Sequence, residues 1–160
     1  SLGDESISRV ISETTNAVCE GELLQLANRG NWSLDESTYF KIIRRKTASL
    51  GGTCCRLSAR FSGANAATTD GLSQYGQNVG VAFQIIDDIL DITGDEKRLG
   101  KDIGSDLTKD KATYPAFYGL EESRRKAEEL VEESIVCLEE FDDRADPLRL
   151  IARFFVQRTF

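Results

Sequence analysis

The 160-residue sequence has no histidine, no methionine and only two prolines. Without histidine there can be no Ser-His-Asp triad, no Cys-His pair and no zinc site that needs an imidazole, so any metal must sit on oxygen or sulfur. Without methionine, the sequence is expected to be part of a longer polypeptide. Pro115 and Pro147 leave long stretches free of helix breakers. No apolar run approaches the roughly 20 residues that span a bilayer, and no secretory pattern opens the chain. Basic blocks are also missing. The net charge of -7 excludes a partner held through nucleic-acid phosphates. Cys19, Cys54, Cys55 and Cys137 form no CxxC, which points away from a zinc ribbon or disulfide framework and toward buried free thiols in a reducing, cytoplasmic setting.

What is present is helical periodicity almost throughout, so the chain reads as one all-α domain over residues 1–160. A first helix is expected over residues 4–28, with Ile7, Val10, Ile11, Val18, Leu23 and Leu26 facing inward. Ser33 and Glu36 have the spacing of a capping box, and the next helix should run to about Gly63. It would contain Gly51 and Gly52, which close helix packing would explain. A long helix follows, capped by a threonine or Asp70 and stopped by Gly94. Residues 94–111 read as an exposed, glycine-containing loop. Helices through Pro115 to about Tyr118, from Glu121 to Phe141, and from Pro147 complete the chain.

The stretch FQIIDDILD at 83–91 carries the chemistry. At about 100° per residue, Gln84, Asp87, Asp88 and Asp91 share one arc, with isoleucines and a leucine opposite. Carboxylates so close repel, which calls for a cation. A hard divalent ion such as Mg²⁺ accepts one or two of them and completes its shell with water and phosphate oxygens. Lys46 is a candidate counter-charge facing this helix. Asp142 and Asp143 form the only other adjacent aspartate pair, in FDDRAD at a helix end, and read as surface. Tyr39 and Tyr75 read as core.

Together with GKDIGSDLTKDKATYP at 100–115, KTASL at 46–50, GELLQL at 21–26 and the closing ARFFVQR, this stretch resembles the trans-type polyprenyl diphosphate synthases over essentially the whole chain. The resemblance implies a bundle of long antiparallel helices around a central cavity, the isoprenoid synthase fold, of which this chain would be the C-terminal half. DDILD would be the second of two aspartate-rich motifs. The first motif, with the basic residues that hold isopentenyl diphosphate, would lie in a missing N-terminal half, leaving the chain inactive alone.

The implied reaction is the Mg²⁺-dependent condensation of an allylic prenyl diphosphate with isopentenyl diphosphate to a longer trans-prenyl diphosphate. Carried over residue by residue, Asp87, Asp88 and Asp91 would hold the metal, Asp87 most directly. Lys46, Lys101 and Lys111 would hold the allylic diphosphate, with Thr47 and Gln84 beside it and the reacting carbons. Lys46, Thr47, Gln84 and Lys101 would thus be catalytic, while Asp102 and Asp106 would orient their loop. The resemblance also implies a homodimer through the first two helices, which should carry an apolar surface stripe. Two other readings are a silent partner subunit of a heteromeric prenyl synthase and a terpene cyclase. The cyclase is disfavoured because no N-D-x-x-S-x-x-x-E pattern is found.

Overall fold

A computed structural model describes residues 5–31, 33–99 and 113–158, with residues 94–99 described by backbone alone. Among the described residues there are helices and turns and no strand. Helix α1 spans Glu5–Ala27, α2 Glu36–Ile43, α3 Ser49–Phe61, α4 Ala66–Leu99, α5 Tyr114–Val136 and α6 Asp146–Gln157. A π-helical turn, Arg44–Ala48, joins α2 to α3, and a short 3₁₀ turn, Asp143–Ala145, leads into α6. The central helix is α4, packed between α3 and α5. No helix among the described residues is long and apolar enough to cross a membrane.

Several ends differ from the sequence reading, each for a local reason. Ser33 does not cap α2; Asp35 does, its carboxylate accepting from the Thr38 amide at 2.9 Å and from both the Ser37 and Thr38 hydroxyls. Those bonds, the one from Ser37 foremost, hold the Asp35 carboxyl down at about 2. Neither a threonine nor Asp70 caps α4, because Asn65 accepts from the Thr68 amide at 2.9 Å. The α4 backbone also continues past Gly94 to Leu99. One helical glycine costs only about 1 kcal/mol, too little to stop a long helix alone. Gly119 (φ 79°, ψ 173°) breaks α5 into the two segments expected. Pro115 and Pro147 both sit in first turns.

The core gathers Tyr39, Ile42 and Ile43 of α2, Tyr75, Val81, Ala82, Ile85, Ile86 and Ile89 of α4, and Ala127, Leu130 and Val131 of α5. Tyr75, buried as expected, donates to the Leu148 carbonyl at 2.8 Å, and burial pushes its phenol up to about 12. The inward stripe expected on α1 is corrected: Ile7 is buried, but Ile11, Leu23 and Leu26 are 49%, 65% and 56% exposed. Leu50 and Phe61 of α3 are exposed as well. The expected apolar surface stripe therefore exists. The free cysteines are not the buried thiols expected, for Cys19 and Cys54 are exposed and Cys55 and Cys137 half-buried.

Glycine sets the closeness of the α3–α4 contact. A Cβ on Gly51 would stand 2.7 Å from the Gly76 carbonyl oxygen, and one on Gly80 would stand 2.7 Å from the Ala48 Cα. Both obstacles are backbone, which cannot rotate away. Gly76→Val should therefore destabilise by about 1–3 kcal/mol or more through overpacking, read as a lower denaturant midpoint. An unchanged midpoint would show that the helices part freely.

Candidate functional site

Asp88 is the centre from which the site is built. It is fully buried near the middle of α4, not set on a water-facing acidic surface. Its Oδ2 accepts from the Tyr39 hydroxyl at 2.7 Å and from the Tyr114 amide at 3.3 Å, and its Oδ1 accepts from the Gln84 side-chain amide at 3.2 Å. The donors come from α2, from α4 itself and from the start of α5, so one carboxylate ties three helices together. Burial, reinforced by the Asp88 charge, drives the Tyr39 phenol far above its usual range. Tyr39 is therefore a fixed donor.

Rings hold those donors in place. Tyr39 lies 5.8 Å from both Tyr114 and Phe117 and 5.6 Å from Phe40, with an edge-to-face arrangement toward each phenylalanine. Thr113, Tyr114 and Pro115 are all buried, and Pro115 starts α5 without an amide that would need a partner. Tyr118 adds a bond from its hydroxyl to Glu36 at 2.7 Å. The α5 start is thus pinned against α2, which presents the Tyr114 amide to Asp88.

The π-helical turn brings the other predicted residues nearby. Its wider winding replaces a regular α turn at Lys46 and Thr47, and such turns recur at functional sites. The Thr47 hydroxyl donates to Gln84 Oε1 at 3.4 Å, so Thr47, Gln84 and Asp88 form one polar chain across α4. Lys46 does not face the acidic helix. Its Nζ lies 2.7 Å from Gln25 Oε1 and 2.5 Å from Glu22 Oε2, both on α1. Gly21 permits that approach, since a Cβ there would stand 2.5 Å from the Lys46 amide nitrogen.

Among the described residues, a cation meets the acidic helix at Arg158, beyond the end of α6. Its Nη2 donates to Asp87 Oδ1 at 2.8 Å, while its guanidinium lies 4.6 Å from the Phe83 ring centre and 5.4 Å from that of Phe155. Asp87 is 33% and Arg158 21% exposed at the side chain. Asp91, one turn on, is exposed. Asp87 and Asp91 thus reach water, whereas Asp88 is enclosed. Asp142 and Asp143 are exposed, as expected. Lys101, Lys111, Asp102 and Asp106 lie outside the described residues.

Carboxylate oxygen is the donor chemistry a hard divalent ion requires, and one or two carboxylates suffice for Mg²⁺. Asp87 and Asp91, an i, i+4 pair in reach of solvent, fit that demand. Asp88 fits it poorly, with both oxygens already accepting from protein donors. Among the described residues, no group of three or more metal-ligating side chains is preassembled. Sequence reasoning missed Arg158 and the pairing of Tyr39 and Tyr114 with Asp88. The available signals were a cation ending the apolar FFVQR stretch and a buried-type tyrosine in each partner segment.

Residues 1–148 match the family model described as polyprenyl synthetase. A geranylgeranyl diphosphate synthase from Cyanophora paradoxa is 42% identical over 92% of this chain and 49% of its own. Component 2 of a heptaprenyl diphosphate synthase from Geobacillus stearothermophilus is 41% identical over 79% of this chain and 39% of its own. Among solved structures, a heptaprenyl diphosphate synthase from Staphylococcus aureus superposes with a TM-score of 0.87 at 25% identity, covering 99% of this chain and 61% of that one. The chain therefore spans about half the length of the curated relatives it matches.

Proposed function

Because the chain belongs to the polyprenyl synthetase family and has its helical fold, we propose that the complete protein condenses an allylic prenyl diphosphate with isopentenyl diphosphate, with these residues supplying one wall of the site. The observation that carries this reading is the placing of two water-reaching carboxylates of α4, Asp87 and Asp91, beside the chain that runs from Thr47 in the π-helical turn to Gln84 and Asp88 of the same helix. Asp87 and Asp91 would hold Mg²⁺. When bound, it supplies positive charge that stabilises a departing diphosphate.

The protein's own groups do the rest. Lys46 holds the allylic diphosphate on leaving Glu22 and Gln25, a half-exposed pairing worth only about 0–1 kcal/mol and readily exchanged. Thr47 fixes the Gln84 carbonyl, whose negative end stabilises positive charge developing on the allylic carbon. Asp88 and Tyr39 act as positioning residues, locking the helix that presents Asp87 and Asp91. Lys101 and Lys111 complete the diphosphate site from the segment before α5.

The other wall, with the first aspartate-rich motif, would come from a further stretch of the same polypeptide, and the complete protein would be a homodimer through the exposed α1 and α3 stripe. A second reading, a subunit working beside a separate partner chain, is favoured by the name of its heptaprenyl component 2 relatives. The four free thiols support a reducing compartment such as the cytoplasm.

The test is a radiolabelled isopentenyl diphosphate assay with an allylic partner. The complete protein should form prenyl product with Mg²⁺ and none with a chelator, and the 160 residues alone should form none. Product from the isolated chain would refute the two-wall arrangement. No product from the complete protein, with or without a partner chain, would refute the activity.

A further inference from the structure

The cation beside the acidic helix is the feature that the reading above does not use. Arg158 lies 71 positions from Asp87 in sequence, yet its guanidinium meets the Asp87 carboxylate at 2.8 Å. It also rests against two aromatic rings, Phe83 at 4.6 Å and Phe155 at 5.4 Å. The rings pack edge-to-face at 5.2 Å, one from α4 and one from α6, forming a seat that does not depend on Asp87. An arginine needing the carboxylate alone would have nowhere to go once that carboxylate was taken. Here the cation–π contacts remain.

We propose that Arg158 is a positioning residue that serves as the built-in counter-cation of Asp87 and competes with a divalent ion for that carboxylate. The proposal rests on the reading of Asp87 as a metal-holding residue. Two physical arguments carry it. A divalent ion on Asp87 would lie within a few ångströms of the guanidinium, where like charges repel, so the two cations cannot both hold the carboxylate at full strength. Arg158 also relieves Asp87 of its repulsion from Asp91 one turn on, which keeps the acidic helix stable before any ion arrives. The pair is two-thirds or more buried at both side chains, so solvent screens it less than a fully exposed pair.

Such competition sets the apparent affinity: if Asp87 is released for only a fraction of the time, ion binding weakens by that fraction. Asp87 would be handed from the arginine to the ion, and Arg158 would stay on Phe83 and Phe155.

The experiment is Mn²⁺ binding to the complete protein, followed by the electron paramagnetic resonance signal of the free ion. Arg158→Gln should bind Mn²⁺ roughly fivefold more tightly than wild type, since the competing state is removed. Asp87→Asn should lose most binding. If Asp87→Asn binds normally, the metal reading fails and takes the proposal with it. If Asp87→Asn loses binding while Arg158→Gln is unchanged or weaker, only the competition is overturned. A measurement needing no variant covers a misfolded Arg158→Gln: Mg²⁺ added to wild type should abolish the slow exchange of the Arg158 guanidinium protons in nitrogen-edited NMR. Retained slow exchange at saturating Mg²⁺ contradicts the proposal.

Discussion

Asp87→Ala in the complete protein is expected to lower turnover on the order of a hundredfold or more while shifting stability by no more than about 1 kcal/mol. The asymmetry follows from where the side chain sits. Asp87 is one-third exposed, and among the described residues it pairs with Arg158, whose two ring contacts do not depend on the carboxylate. Little folding energy depends on it. Under the proposed function, its role is the charge it would offer to an ion and a diphosphate. Steady-state turnover and a urea midpoint, measured on the same preparation, check both halves. Parallel loss of stability and activity would count against the ligand role.

Asp88→Ala should do the reverse, although its neighbour differs from it in sequence by one position. The substitution strips the Tyr39 hydroxyl, the Tyr114 amide and the Gln84 amide of the acceptor they share in a fully buried place. Breaking a buried charged hydrogen-bond network from one side costs about 3–5 kcal/mol. That is a large part of the stability of a domain this size. A fall in the urea midpoint with loss of fluorescence from the Tyr39 cluster is the expected readout, and Tyr39→Phe should lose about 1–3 kcal/mol by the same route. A stable Asp88→Ala with little change in midpoint would show that the network is ornamental to the fold.

These opposite expectations mark where the sequence was legible. The helical wheel placed Asp87, Asp88 and Asp91 on one arc, and the site residues Thr47 and Gln84 do meet at α4. A wheel describes one helix, though, and cannot say which neighbour covers which part of it. Two of the three donors on Asp88 lie 49 and 26 positions away, so its burial is a fact of packing between α2, α4 and α5. Lys46 shows the same limit. Its sequence position gave a cation near the motif, but the π-helical turn and the close pass of Gly21 direct it toward α1.

The errors on α1 and the cysteines share a cause. Periodicity marks an apolar face without saying whether its partner belongs to the same described chain, and Ile11, Leu23 and Leu26 are exposed here. Burial of cysteine is a tendency of the residue type, and Cys19 and Cys54 lie on the outer faces of their helices. Local signals fared better where one group had one choice. Gly51 and Gly52 do mark close packing, and Gly119, with its positive φ, divides α5 where the turn was expected. At the start of α2 the expected cap, Ser33, is displaced by Asp35, which gathers three donors.

The measurement that bears most directly on the whole account is calorimetric titration of Mg²⁺ into the complete protein, with and without inorganic pyrophosphate, for wild type and for Asp87→Asn combined with Asp91→Asn. The account predicts that pyrophosphate tightens Mg²⁺ binding in the wild type and that the paired substitution removes this enhancement. Equal enhancement in the substituted protein would contradict it, because the ion and the diphosphate would then meet elsewhere than on the water-facing carboxylates of α4.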